Sequence, residues 1–198
     1  MYDYRPRSRE EKQRIVDERI ARGYPAHQPP HTIRDGHLYL LTAACYEHRP
    51  HIHSAERRQT VLDLLRGQCD EHGVPISAWV ILATHYHLLV EVTDFAVLGD
   101  IFRRVHGRTS HDWNAEERTQ GRRVWYQYTD GAIRSERHYY TTLNYLHYNP
   151  VKHGLVASPY DWQWSSVHHY LAQYGREWLR DLWQRYPVRE YGSSWDEE

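Results

Sequence analysis

The chain has no apolar run approaching the roughly 18 residues that cross a bilayer, and its start is charged rather than apolar. These absences argue against a membrane span and a secretory signal, so a cytoplasmic protein is expected. Cysteine is scarce. Cys45 and Cys69 are the only two, and they lack metal-ligand spacing, so they read as ordinary cytosolic thiols. Net charge is almost absent, at −1, so no global field marks a nucleic-acid binder. Lysine is nearly missing too: Lys12 and Lys152 stand alone, and the other 23 of the 25 basic residues are arginine. Arginine forks onto phosphate and stacks on bases, although a GC-rich coding sequence produces the same bias. No internal repeat or low-complexity segment is visible.

What is present is a globular composition. With 198 residues, 40% of them hydrophobic, the chain is long enough to bury a sizeable core. Residues 1–34 read as an N-terminal extension, with a helix around 9–22 and a basic start at Arg5, Arg7, Arg9, Lys12 and Arg14. A buried strand is expected at 37–46, then a helix from the Ser54 cap to about His72, closed by Gly73. Strands at 76–82 and 85–92 are separated by a tight turn holding Thr84, so they form an antiparallel hairpin. A helix at 95–114 follows, and a fourth strand at 122–129 ends at Asp130-Gly131. The next helix runs from the Ser135 cap to about Asn149, where Pro150 is expected to stop it. Short helices at 164–173 and 175–186 precede a loose end at 187–198. The order strand, helix, strand, strand, helix, strand predicts an α+β fold: a ferredoxin-like, split β-α-β antiparallel sheet with flanking helices. The expected division is 1–34, a domain at 35–172, and a helical tail at 173–198. Such a fold does not by itself fix a function.

Two local patterns carry chemistry. In His85-Tyr86-His87, residues two apart on a strand share a face. The two imidazoles therefore point one way, and Tyr86, Leu88, Val90 and Val92 point to a core. Paired imidazoles on a rigid strand can hold a metal, and Glu91 on their face either orients a histidine or is solvated. On the helix before Pro150, His138, Thr142, Tyr145 and Asn149 cluster on one face, while Tyr139, Leu143 and Leu146 form the neighbouring apolar stripe. A phenol with a reference pKa of about 10 needs help to act as a nucleophile. A divalent ion gives that help, and Asn149 can offer it a neutral oxygen. Arg104, Arg108, Arg134, Arg137 and Lys152 are candidate phosphate contacts, and Trp125 and Tyr126 candidate stacking platforms.

The segments ILATHYHLLVEV and LNYLHYNPVKHGLV resemble the two signatures of the HUH single-tyrosine transposases, in particular the branch of REP-associated tyrosine transposases. The first signature is a histidine pair around a bulky residue, here His85 and His87. The second is a tyrosine followed four residues later by Asn-Pro-Val, here Tyr145 and Asn149-Pro150-Val151. IRSERHYYTTLNYLHYNPVKHGLV and DWQWSS also resemble that branch, and the likeness covers roughly residues 36 to 170. Ala83-Thr84 stand where family members often carry Pro-Asn or Pro-Asp. The resemblance implies a metal-dependent endonuclease and transposase. In it, His85, His87 and Asn149 hold Mg²⁺ or Mn²⁺, and Tyr145 attacks single-stranded DNA beside a REP-like hairpin. It implies a 5′-phosphotyrosine link and a free 3′-OH, then rejoining, by a nucleoid-associated monomer or homodimer.

Imidazole ligands generally suit zinc or nickel better than magnesium, so the choice of ion comes from the resemblance alone. Two other functions compete. A domesticated hairpin-binding protein would not need the His85, His87, Tyr145 and Asn149 set. A zinc hydrolase would need further ligands, and the sequence holds no His-Glu-x-x-His or cysteine pair.

Overall fold

A computed structural model describes residues 38–192, together with Arg14. The chain divides into two units, Met1–Arg34 and Asp35–Glu198, and the architecture below is that of the second. The helix expected at 9–22 lies outside the described residues apart from Arg14. The elements are β1 (Leu38–Ala44), α1 (Ala55–Glu71), β2 (Ile76–Ile81), β3 (His85–Glu91), α2 (Phe95–Glu116), β4 (Thr129–Ala132), α3 (Glu136–Lys152) and α4 (Val167–Arg185). No helix among the described residues is long and apolar enough to cross a membrane.

The sheet order is β2-β3-β1-β4, and every pairing is antiparallel. This is the split β-α-β arrangement that the element order predicts. Both faces of the sheet are covered. Tyr39, Leu41, Ala43, Tyr86, Leu88 and Val90 pack with α1 and α2. Leu40, Ala78, Val80 and Leu89 pack with α3 and α4. Burial on both faces explains why β1 and β3 read as nearly unbroken apolar runs rather than clean alternations.

The helices start where their caps say. The hydroxyls of Ser54 and Ser135 accept from the backbone N–H of Arg57 and His138, three residues on. The two short helices expected at the end are present: α4 is broken at Gly175, whose backbone is not helical and whose φ of 83° only glycine takes without strain.

Three local expectations need correction. The fourth strand is 129–132, not 122–129. Residues 122–128 make a single bridge to β1's end, Cys45 to Trp125, because Val124 and Trp125 turn into the core instead of pairing along an edge. Pro150 does not stop α3, which continues to Lys152. Proline removes one donor and crowds one carbonyl, and this close to the helix end the last turn still closes through His153 N–H donating to the Asn149 carbonyl. The end is also not loose throughout. Tyr191 and Gly192 are packed against α3, as described next.

Candidate active site

β3 is a central strand, held by β1 on one side and β2 on the other, so its side chains are rigidly aimed. In the register, His87 lies opposite Thr42 and Val80, and His85 opposite Ala44. His85 and His87 project from the face covered by α3, with ring centroids 4.9 Å apart. Each imidazole is fixed through Nδ1 by a threonine hydroxyl: Thr84 for His85 at 2.9 Å, and Thr42 for His87 at 2.8 Å. In the tautomer with the proton on Nδ1 the threonine oxygen accepts and Nε2 keeps its lone pair; His87 Nε2 meets the helix at the Tyr145 hydroxyl. That is how a metal-binding histidine is usually oriented.

α3 answers residue by residue, one turn at a time. The Tyr145 hydroxyl lies 3.3 Å from His87 Nε2, within the same chain. Two turns on, the His153 ring sits 5.1 Å from that of His85. Asn149 is midway between them on the same face. His85, His87, Tyr145 and Asn149 are 5%, 0%, 1% and 0% exposed. Neither Nδ2 nor Oδ1 of Asn149 has a hydrogen-bond partner. A buried amide left unpaired costs about 1–3 kcal/mol, so this side chain is held ready for something other than folding.

A divalent ion fits these residues. Two imidazoles and a buried, unpaired amide oxygen are donors of the kind a divalent ion takes. Among the described residues no group of three or more His, Cys, Asp or Glu is arranged to hold a metal.

The lid over Tyr145 was not legible in the sequence. Tyr191 hydroxyl is 2.6 Å from the Thr142 hydroxyl and 3.0 Å from His138 Nε2. The Lys152 ammonium donates to the Gly192 carbonyl at 2.8 Å and lies 5.4 Å from the Tyr145 ring centre. A Cβ on Gly192 would stand 2.5 Å from Tyr145 Cε2, and φ is +73° there. Only glycine permits this approach.

The other sequence candidates separate. Arg134 and Arg137 are exposed at the start of α3, on Lys152's side of the sheet. Arg104 and Arg108 are on α2, which covers the opposite face, and they face Glu71 and Asp112. Glu91 is exposed six residues along β3 from His85, about 20 Å away at strand rise. It cannot orient a histidine, and the solvated alternative holds. Trp125 is no stacking platform: it is buried, stacked on His106 at 4.4 Å, and donates to Thr109. Tyr126 is half-buried beside Tyr46, with the Arg123 guanidinium over both rings. His153 and the two threonines were missed. The signal for His153 was its spacing, four residues after Asn149.

The fold and site define an α+β domain with a ferredoxin-like sheet, in which a His-x-His strand faces a tyrosine-bearing helix. The chain is 30% identical over 113 residues to the REP-associated tyrosine transposase of Escherichia coli K12, covering 54% of this chain and 64% of that one. It is 31% identical over 114 residues to a Haemophilus influenzae protein described in the same terms, covering 50% and 62%. It thus spans less than two thirds of the length of these curated relatives. A solved structure of a REP-associated tyrosine transposase bound to a REP hairpin superposes with a TM-score of 0.58 at 21% identity, over 74% of this chain and 85% of that one. At that identity the match speaks for the fold. No family model matches the chain.

Proposed function

We propose that this chain is a transposase of the HUH single-tyrosine kind, which cleaves and rejoins single-stranded DNA beside a hairpin. The observation that carries the reading is the facing of Tyr145 and His87 across 3.3 Å, with the unpaired amide of Asn149 one turn away. In this reading, Nε2 of His85, Nε2 of His87 and Oδ1 of Asn149 hold Mg²⁺ or Mn²⁺. When bound, such an ion polarises the phosphate and offsets the charge that develops on it.

The chain's own groups do the rest. Thr42 and Thr84 hold the imidazoles in one tautomer. The Lys152 ammonium balances charge beside the phenol. The Tyr145 oxygen bonds to phosphorus as the bond to the 3′ oxygen breaks, and the proton lost by the phenol matches the one gained by the 3′-OH. The product is a 5′-phosphotyrosine, which the 3′-OH of another strand reverses. In this reading Tyr145 serves the histidines of its own chain, in a monomer or a homodimer. The DNA partner puts the protein at the nucleoid.

A second reading, a hairpin-binding protein that does not cut, is favoured by one observation: Tyr145 is shielded by Tyr191 and Gly192. Incubation with hairpin-tailed single-stranded DNA and Mn²⁺, followed by a denaturing gel, separates the two. Cleavage is expected, and it should vanish in a folded variant carrying both His85→Ala and His87→Ala. Full cleavage by that variant sinks the proposal.

A further inference from the structure

The DWQWSS segment, Asp161–Ser166, has no part in the site above, yet it is closely built into the sheet. Ile81 N–H donates to the Trp164 carbonyl at 2.9 Å, and Ser166 N–H to the Trp79 carbonyl at 2.9 Å. Ser166 hydroxyl accepts from Trp79 N–H and bonds His147 Nε2. Trp162 Nε1 donates to the Ile81 carbonyl at 3.0 Å. The segment thus lines the open edge of β2, which runs directly into the turn before His85.

On that edge, arginine and tryptophan alternate. The Arg58 guanidinium, from α1, lies 4.9 Å from the Trp162 ring and 4.8 Å from the Trp164 ring. Two turns along the same helix, Arg66 lies 4.2 Å over Trp79, and the exposed His169 is on Trp79's other flank at 6.5 Å. Trp79 and Trp164 are only partly buried. Neither arginine has an acidic partner among the described residues. Arg58 donates through Nη2 to the His53 carbonyl, but its Nε and the Trp164 Nε1 are both buried without an acceptor. Burial lowers the pKa of Arg58, because its charge loses water without gaining a carboxylate. A half-buried cation with no carboxylate beside it favours an anion brought from outside the protein. Tryptophan faces beside it suit a flat ring. One polymer supplies both at short intervals: a strand of unpaired nucleotides, with phosphates for the guanidiniums and bases for the indoles.

We infer that the β2 edge, through Arg58, Arg66, Trp79 and Trp164, binds the unpaired DNA segment that flanks the hairpin and leads it around the edge towards His85. The inference rests on the DNA reading above. A purely structural arginine–tryptophan stack is its rival.

The test is anisotropy of labelled DNA over a salt series, using a hairpin with and without an unpaired tail. Wild-type protein should bind the tailed hairpin more tightly. Arg66→Gln, an exposed change that leaves the core untouched, should lower the salt slope of log K by about 0.7. Arg58→Gln with Arg66→Gln should lower it by about 1.4 and remove the advantage of the tail, with the melting temperature of each variant recorded. If both variants bind the tailed hairpin as wild type does, with an unchanged slope, the inference is overturned and the DNA reading stands. If only the melting temperature changes, the stack is structural and the inference is equally overturned. If wild-type protein binds neither DNA, the proposed function falls as well.

Discussion

Asn149 is the residue at which stability and function separate most sharply. Its amide is fully buried and makes no hydrogen bond, so folding gains nothing from its polarity. Replacing it by leucine, of similar size, should leave the melting temperature unchanged or raise it by a few degrees, since about 1–3 kcal/mol of unpaired desolvation is removed. Strand cleavage should be lost. A marked fall in melting temperature would mean that the amide is structural. Asn149 and Tyr145 were legible because four residues make one helical turn, and the His85–His87 pair because two residues make one strand repeat. Thr42 was not: it meets His87 only through a register set 45 positions apart in the chain. Thr84 was placed only in the turn before β3, and its hydroxyl bonds His85.

At the scale of elements, the β2–β3 hairpin and α3 form the site, and the segment ending at Gly192 closes it. Sequence periodicity located the helices and the inner strands well, since caps and apolar spacing are local. β4 was misread because Val124, Trp125, Tyr126 and Tyr128 are strand-favouring residue types whether the stretch pairs or plugs a core. The closure at Tyr191 and Gly192 left no local pattern at all. It depends on a glycine brought against a ring 47 positions earlier. Gly192→Ala adds a Cβ that would overlap Tyr145 and strains a left-handed φ. The segment should lift from α3, and Tyr145 should react with DNA several-fold faster. A rate equal to wild type or slower, measured by adduct formation over time, would show that the closing segment does not limit access.

Across the whole molecule, buried histidines tie stability to pH. His147 is fully buried between α3 and the Ser166 hydroxyl, and burial drives its pKa from 6.5 down to about 3. His106, stacked between Phe102 and Trp125 with the Tyr86 hydroxyl on its Nε2, is lowered to about 3 by burial as well. A lowered histidine is neutral in the folded state and protonates more readily when unfolded. Its stabilising effect is therefore complete above pH 6.5 and drains away as pH falls towards 3. His147 alone should cost about 1.4 kcal/mol per pH unit inside that window. Below pH 4.5 the loss of Glu117 adds to this, because Arg122 and Arg57 hold its carboxyl down at about 2. Denaturant unfolding between pH 7 and pH 4 should show uptake of at least two protons, to which His51 and His138, also lowered by burial, add. A flat profile over that range would contradict the assignment of two neutral imidazoles, one buried and one partly buried. This chemistry was invisible in a sequence with sixteen histidines, because only tertiary packing decides which of them lose water.

The central claim is that Tyr145 is the nucleophile, although Tyr139, Tyr140 and Tyr148 share its helix. Tyr139 bonds Tyr170, Tyr140 stacks on Tyr186, and Tyr148 is exposed. Only Tyr145 meets His87. The direct measurement is peptide mapping by mass spectrometry of the covalent adduct trapped on hairpin-tailed single-stranded DNA with Mn²⁺, run beside Tyr145→Phe. The account predicts a phosphotyrosine at Tyr145, and no adduct but undiminished DNA binding in the phenylalanine variant. A phosphotyrosine at any other position, or an adduct that survives Tyr145→Phe, would contradict it.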